Sequence, residues 1–230
     1  MRTASGWIAV LATFAAASPA LPQEGAARFA VIPLENTGSY GQDKEVFEAL
    51  ELGLAGMLAR AVDRHPAADV VPRSELSQAM RVLTPGSGRR VDAADAARIG
   101  KETGARYTVT GSFADFYGKF RINARLVDAR SGEILKVVSN EDPKLQDRAQ
   151  LAAIIQHVAQ KITGAAGLPP YPSGAAAPPI ATDAITAYSR ALLHESRGDR
   201  AKAADFYQSA LTSAPGFEEA SSGLGRVRSP

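Results

Sequence analysis

Apolar residues recur along this 230-residue chain with two different periods, and these divide it into strands and helices. Residues 28–34 (RFAVIPL) form a short apolar run, which predicts a buried strand, and residues 35–39 (ENTGS) have turn chemistry. From about residue 43 to 64, Val46, Phe47, Leu50, Leu54, Met57, Leu58, Ala61 and Val62 recur at helical spacing. Asp43 is placed to cap that helix and His65-Pro66 to end it. Residues 69–71 predict a brief second strand. Ser74 opens a helix carrying Leu76, Ala79, Met80 and Leu83, stopped by Pro85-Gly86. Asp92 opens another with Ala96 and Ile99, closing at Gly104.

The pattern then changes to period two. In residues 107–113, Tyr107, Val109, Gly111 and Phe113 share one face, and Thr108, Thr110 and Ser112 the other. In residues 119–127, Phe120, Ile122, Ala124 and Leu126 alternate with Lys119, Arg121, Asn123 and Arg125. This predicts an antiparallel hairpin through a tight Tyr117-Gly118 turn, in a sheet wet on one side. Ser131-Gly132 makes the next turn, and residues 134–138 a third strand. Pro143 is placed to start a helix with the stripe Leu151, Ile154, Ile155, Val158 and Ile162, closed by Gly164. Residues 25–164 thus read as an α/β (α+β) two-layer domain with a mixed sheet.

Residues 165–182 open with the Pro-, Ala- and Gly-rich stretch AAGLPPYPSGAAAPP and read as a linker. Residues 183–230 return to helical periodicity, divided at Gly198-Asp199. Ala203, Tyr207, Ala210 and Pro215 stand at the spacings of the second helix of a tetratricopeptide repeat. The first helix keeps the small residue Ala191, but Arg190 and His194 stand where a large apolar and an aromatic residue are expected. A repeat of this type and a plain helical hairpin are both open. Fewer than two repeats cannot bury a core alone, so this tail must pack on the first domain, another subunit or a partner.

The N-terminus adds a location. Arg2, the apolar run of residues 7–17 (WIAVLATFAAA) and Ser18-Pro19-Ala20 follow the layout of a cleavable secretory signal over residues 1–20. Cleavage is expected after Ala20, with Ala17 the alternative. The chain contains no cysteine, which removes disulfides, thiolate metal sites, cysteine nucleophiles and a thioether-linked lipid. The mature protein is therefore expected in the periplasm, soluble or peripherally associated with the outer membrane, and not as a lipoprotein. Formal net charge is +2 with no long basic run, so nucleic acid is not an expected partner. No later run of 18 apolar residues predicts a transmembrane segment.

Several segments together resemble one superfamily. These are residues 29–36 (FAVIPLEN), Val70-Val71-Pro72-Arg73 with Leu76, Ile99-Gly100-Lys101 through Tyr107 and Gly111-Ser112, and residues 121–128 (RINARLVD) with Ser131-Gly132-Glu133. Their order and spacing resemble the group containing the curli-secretion component CsgG, FlgO-type flagellar proteins, the TolB amino-terminal domain and LpoB-type activators of penicillin-binding proteins. The resemblance implies an envelope-associated α/β domain that assembles with other envelope proteins, and it implies no single activity. Two departures count against a pore: there is no lipid-anchoring cysteine and no spare pair of barrel-forming hairpins.

Candidate chemistry is sparse. His65, His157 and His194 fall in three separate elements without metal-ligand spacing, and no Ser sits in a nucleophile elbow. The glycines of residues 84–90 (TPGSGRR) lack the flanking strand and Lys-Ser/Thr of a phosphate cradle. No catalytic residue, cofactor or metal is therefore expected. The candidate protein-binding residues are Arg121 and Arg125 on the polar sheet face, where an acidic partner or a neighbouring subunit could dock. By the tetratricopeptide resemblance, Tyr188, Leu192 and Glu195 line a groove for a partner peptide. Burial of those three against the first domain is equally open. The expected function is a non-enzymatic periplasmic assembly or scaffold protein binding other envelope proteins or peptides, with homo-oligomerisation open. The alternative is a regulatory activator of a periplasmic enzyme such as a cell-wall synthase.

Overall fold

The computed structural model describes residues 25–39, 44–83, 91–172 and 180–229. The signal segment, the Asp43 cap, the 84–90 loop with its Pro85-Gly86 stop, and residues 173–179 of the expected linker lie outside the described residues.

A mixed sheet runs in the order β3-β1-β4-β5-β6. Its strands are β1 (Ala27–Val31), β3 (Ala68–Val70), β4 (Tyr107–Phe116), β5 (Lys119–Asp128) and β6 (Ile134–Ser139), and the two-residue β2 (Glu35–Asn36) also pairs with β4. β1 lies parallel to β3 and β4, because helical crossovers connect them. β4, β5 and β6 form an antiparallel meander. The β4–β5 register pairs Val109 with Leu126 and Phe113 with Ile122 on the core face, and Thr110 with Arg125 on the other. Tyr117 and Gly118 both have positive φ (53° and 86°), the conformation of a two-residue hairpin turn whose twist matches its strands.

On the core face lie α1 (Lys44–Asp63) and α4 (Leu151–Ala165). They bring Phe47, Leu50, Leu54, Leu58, Ile154, Val158 and Ile162 against Phe29, Val109, Phe120, Ile122 and Leu126. The expected helix start at Pro143 is corrected to Leu151, preceded by a short 3-10 turn, Arg148–Gln150, capped by the Asp147 side chain. The reason is Asn140, which is fully buried. Its side chain accepts from Ile122 N–H (2.7 Å) and donates to the carbonyls of Phe120 (2.8 Å) and Leu145 (2.9 Å). That network holds residues 140–145 in a non-helical bend, and Arg148 forms an ion pair with buried Asp115 of β4.

The opposite face, expected to be wet along its length, is corrected to half-covered. α2 (Arg73–Leu83) and α3 (Ala93–Glu102) cover its β3–β1 end, forming a second core of Ala30, Ile32, Leu76, Ala96, Ile99 and Val127. Thr108 and Thr110 are buried, and Thr108 Oγ1 donates to Ala96 O (3.0 Å). A hydroxyl satisfied by a backbone carbonyl can be buried at little cost, so polar alternation alone does not report exposure. Among the described residues, no helix covers the distal half of this face, towards the hairpin tip and β6.

Three further helices, α5 (Thr182–Ser196), α6 (Arg200–Ser213) and α7 (Glu218–Arg228), form a packed helical region. They share one continuous core with the sheet and α1: Ala184, Ile185, Tyr188, Ala191 and Leu192 of α5 join the same cluster as Leu50 and Leu54.

Candidate binding cleft and sheet face

The C-terminal helices are placed by close approach to α1. A methyl group on Gly53 would lie 1.8 Å from Ser189 Oγ, and one on Gly56 would lie 2.9 Å from the Tyr188 hydroxyl. Small residues on one helix let the axes of two helices approach, which brings α5 down onto α1. Ion pairs frame the contact. Glu45 of α1 meets Arg190 (3.2 Å) and His194 (3.4 Å), and Glu48 meets Arg197 (2.7 Å). Arg190 and His194, the two departures from the repeat pattern, both also stack on Phe206 of α6. They serve the docking of α5 on α1.

This docking buries Tyr188 and Leu192 and leaves Glu195 partly covered. All three line a cleft of about 1040 Å³ between α1–α2 on one side and α5 and α7 on the other. Arg60, Arg73, Arg226 and Glu219 line it too. Glu195 is the hub of its wall: it pairs with Arg73 (3.2 Å) and, in bidentate fashion, with Arg226 (both 3.2 Å), and it accepts from the Tyr207 hydroxyl. Burial pushes the Glu195 carboxyl up, but the Arg226 and Tyr207 hydrogen bonds and the Arg73 charge outweigh it and hold the group below the ordinary glutamate range. Arg60 closes the far end by pairing with Glu218 (2.5 Å) and Glu219 (3.3 Å).

Tyr188 also lines the cleft. Its side chain packs against Phe217 (5.0 Å between centroids) and Tyr207 (6.1 Å), and the residue is only 6% exposed. Among the described residues its hydroxyl has no hydrogen-bond partner, although the cleft it lines is rich in charge. Burial pushes its pKa to about 12, so it remains a neutral O–H at physiological pH. Beside it, a second cavity of about 140 Å³ shares Gly56, Ala59 and Arg73 with the cleft and is lined by Val31, Leu52, Val71 and Leu76. A polar cleft opening into an apolar slot suits a segment of polypeptide, with side chains in the slot and backbone groups along the polar wall.

Arg121 and Arg125 lie elsewhere, on the bare half of the sheet. Arg121 is exposed and Arg125 half-buried, and among the described residues neither has a carboxylate partner. The structure thus separates the five candidate residues into two surfaces, the cleft and the sheet face. Arg60, Arg73 and Arg226 are not marked in the sequence as cleft residues, because each reads there as a solvated helix charge. Among the described residues, no group of three or more His, Asp or Glu side chains converges as a metal site. His65 instead bonds the Pro169 carbonyl (2.8 Å) and Ala67 N–H (3.1 Å).

No helix among the described residues is long and apolar enough to cross a membrane. No protein-family model matches the chain, and no curated protein matches it. Among solved structures it is distantly similar to Escherichia coli LpoB, with 18% identity over 50% of this chain and 55% of that one and a TM-score of 0.40. The chain therefore spans about half the length of that protein. TolB from Acinetobacter baumannii is 16% identical over 63% of this chain and 28% of its own, with a TM-score of 0.37. Lipoprotein GNA1162 from Neisseria meningitidis is 17% identical over 60% of this chain and 96% of its own, also at 0.37. These likenesses are distant, and no residue role follows from them.

Proposed function

We propose that the protein is a non-enzymatic scaffold or assembly factor of the cell envelope, working in the periplasm by protein–protein binding. In this reading α5–α7 are a tetratricopeptide-type element whose groove is completed by α1 and α2, and the occupant is a polypeptide segment of another envelope protein. The observation that carries the reading is the unpartnered Tyr188 hydroxyl in a cleft of about 1040 Å³. The hydroxyl faces the cleft with its O–H unused, and a bound backbone carbonyl would accept from it.

Affinity capture from an envelope fraction, read by mass spectrometry, tests it with three baits: the wild type, Tyr188→Phe and Ser222→Trp. The first variant removes only the hydroxyl, and the second fills the cleft from an exposed position. Partners captured by the wild type and lost from both variants, at unchanged melting temperature, support the cleft. Identical partners on all three baits exclude it. Recovery of a cell-wall synthase would make the protein a regulator of that enzyme. Hydrolysis by the purified chain, lost on a point substitution, would end the non-enzymatic reading.

A further inference from the structure

β6 is the last strand of the sheet, and among the described residues no element covers its outer side. Ile134, Leu135 and Val137 are 47%, 42% and 57% exposed, three of the most exposed large apolar side chains among the described residues. Among the described residues, no backbone group of 134–138 is hydrogen-bonded to anything beyond β5. The strand's last residue is closed off: Ser139 O accepts from Lys161 Nζ (2.9 Å), and Ser139 Oγ donates to Glu141 (3.0 Å). The pairing positions therefore stop at Val138. An apolar strand edge with unused N–H and C=O groups is a template for another strand.

The adjoining face supplies the chemistry of that strand. The register places Arg125 between Thr110 and Val137, Asn123 between Ser112 and Ser139, and Arg121 beside Ala114. Lys119 faces Phe116 at the hairpin end. On this face β4, β5 and β6 contribute no acidic side chain. Among the described residues, Lys119, Arg121 and Arg125 on this face lack a carboxylate partner. Glu133 and Glu141 flank the strand at its ends, and between them the surface is cationic and apolar. Two copies joined by their β6 edges would bring these cations together, and like charges on facing strands oppose pairing.

We infer that the β6 edge and its basic face bind an extended, acidic segment of a partner polypeptide by adding it to the sheet as a further strand. Main-chain hydrogen bonds to residues 134–138 hold the segment, its carboxylates lie on the Val137 face towards Arg125, with Arg121 adding positive charge beyond the last paired position, and its apolar side chains lie on the opposite face. This site goes beyond the cleft reading and stands without it, because none of its residues lines the cleft.

The test uses the full purified chain and a fluorescein-labelled six-residue peptide alternating Val and Glu, matched to the six residues of β6. Anisotropy should show binding that weakens as salt is raised, since the contact is partly ionic. Arg121→Glu/Arg125→Glu should weaken it about tenfold or more while the melting temperature stays at the wild-type value. The same peptide N-methylated at alternate residues should not bind, because strand addition needs its N–H groups. Val137→Glu, which sets a carboxylate beside Arg125 against the segment's own, should also weaken binding. Equal binding of a Val/Lys peptide, full binding of the N-methylated peptide, or no binding at all would overturn the inference. So would concentration-dependent dimerisation through β6 that outcompetes the peptide. A result in which only Tyr188→Phe matters would place the peptide in the cleft and equally refute the edge.

Discussion

Gly53 of α1 and Ser189 of α5 meet with no space for a side chain between them: a Cβ on Gly53 would lie 1.8 Å from Ser189 Oγ and 2.9 Å from Ser189 Cα. Because the second of these atoms belongs to the backbone, no rotamer change relieves the clash. The approach fixes how close the C-terminal helices come to the α/β layer, and so how wide the cleft between α2 and α7 stands.

Gly53→Ala should lower stability. Alanine improves helix propensity by roughly 1 kcal/mol, while overpacking against backbone stands at the upper end of about 1–3 kcal/mol, so a net loss of about 2 kcal/mol is expected. Adding Ser189→Gly removes the clashes with Oγ and Cβ but leaves the α5 backbone in the way, so rescue should be partial. Thermal melting of the two variants checks this; a Gly53→Ala protein as stable as the wild type would refute the close approach.

Glu195 should give stability a pH dependence. Its folded pKa lies below the ordinary value of 4.5, so its contribution is complete above 4.5 and is lost as pH falls through the folded value. Glu195→Gln leaves Arg73 and Arg226 without their shared carboxylate. Both arginines are partly solvated, so the loss is about 1 kcal/mol at neutral pH. The difference in melting temperature between wild type and variant should shrink in acid. A difference that grows as pH falls would show that the carboxyl is not held in its ionised form.

Deleting residues 180–229 should not leave an undisturbed first domain. The face of α1 that carries Gly53 and Gly56 would be uncovered, and Glu45, Glu48 and Arg60 would lose their ion pairs to Arg190, Arg197 and Glu218. A lowered melting temperature with self-association on gel filtration is expected. A monomeric remainder melting at the full-length temperature would show that the helices are independent of the sheet.

Much of the fold is legible in the residues. The stripe from Phe47 to Val62 places α1 within a residue of its ends, and the alternation around Phe120 and Ile122 marks β5 and its core face. Tyr117-Gly118 marks the hairpin turn. The true helix start beyond Pro143 is not legible, since the Asn140 side chain that bends that segment acts on Ile122 and Phe120, about twenty residues away. The burial of Thr108 is hidden for the same reason: its cover, Ala96, comes from α3.

By itself the sequence determined the local order: which segments are helix or strand, which strand faces are apolar, and that Arg121 and Arg125 share a face. Those properties depend on backbone period and side-chain type within a few residues, which the linear pattern records. Tertiary structure alone decided the two surfaces. It placed Tyr188, Leu192 and Glu195 in a cleft closed by Arg60 and Arg73 rather than on an open groove, and it left β6 at the sheet edge with Leu135 and Val137 bare. The physical reason is that a helix charge or an apolar strand residue reads the same in sequence whether it meets water, a neighbour or a partner. Packing between distant elements makes that choice, here through the approach of Gly53 to Ser189 and the strand order.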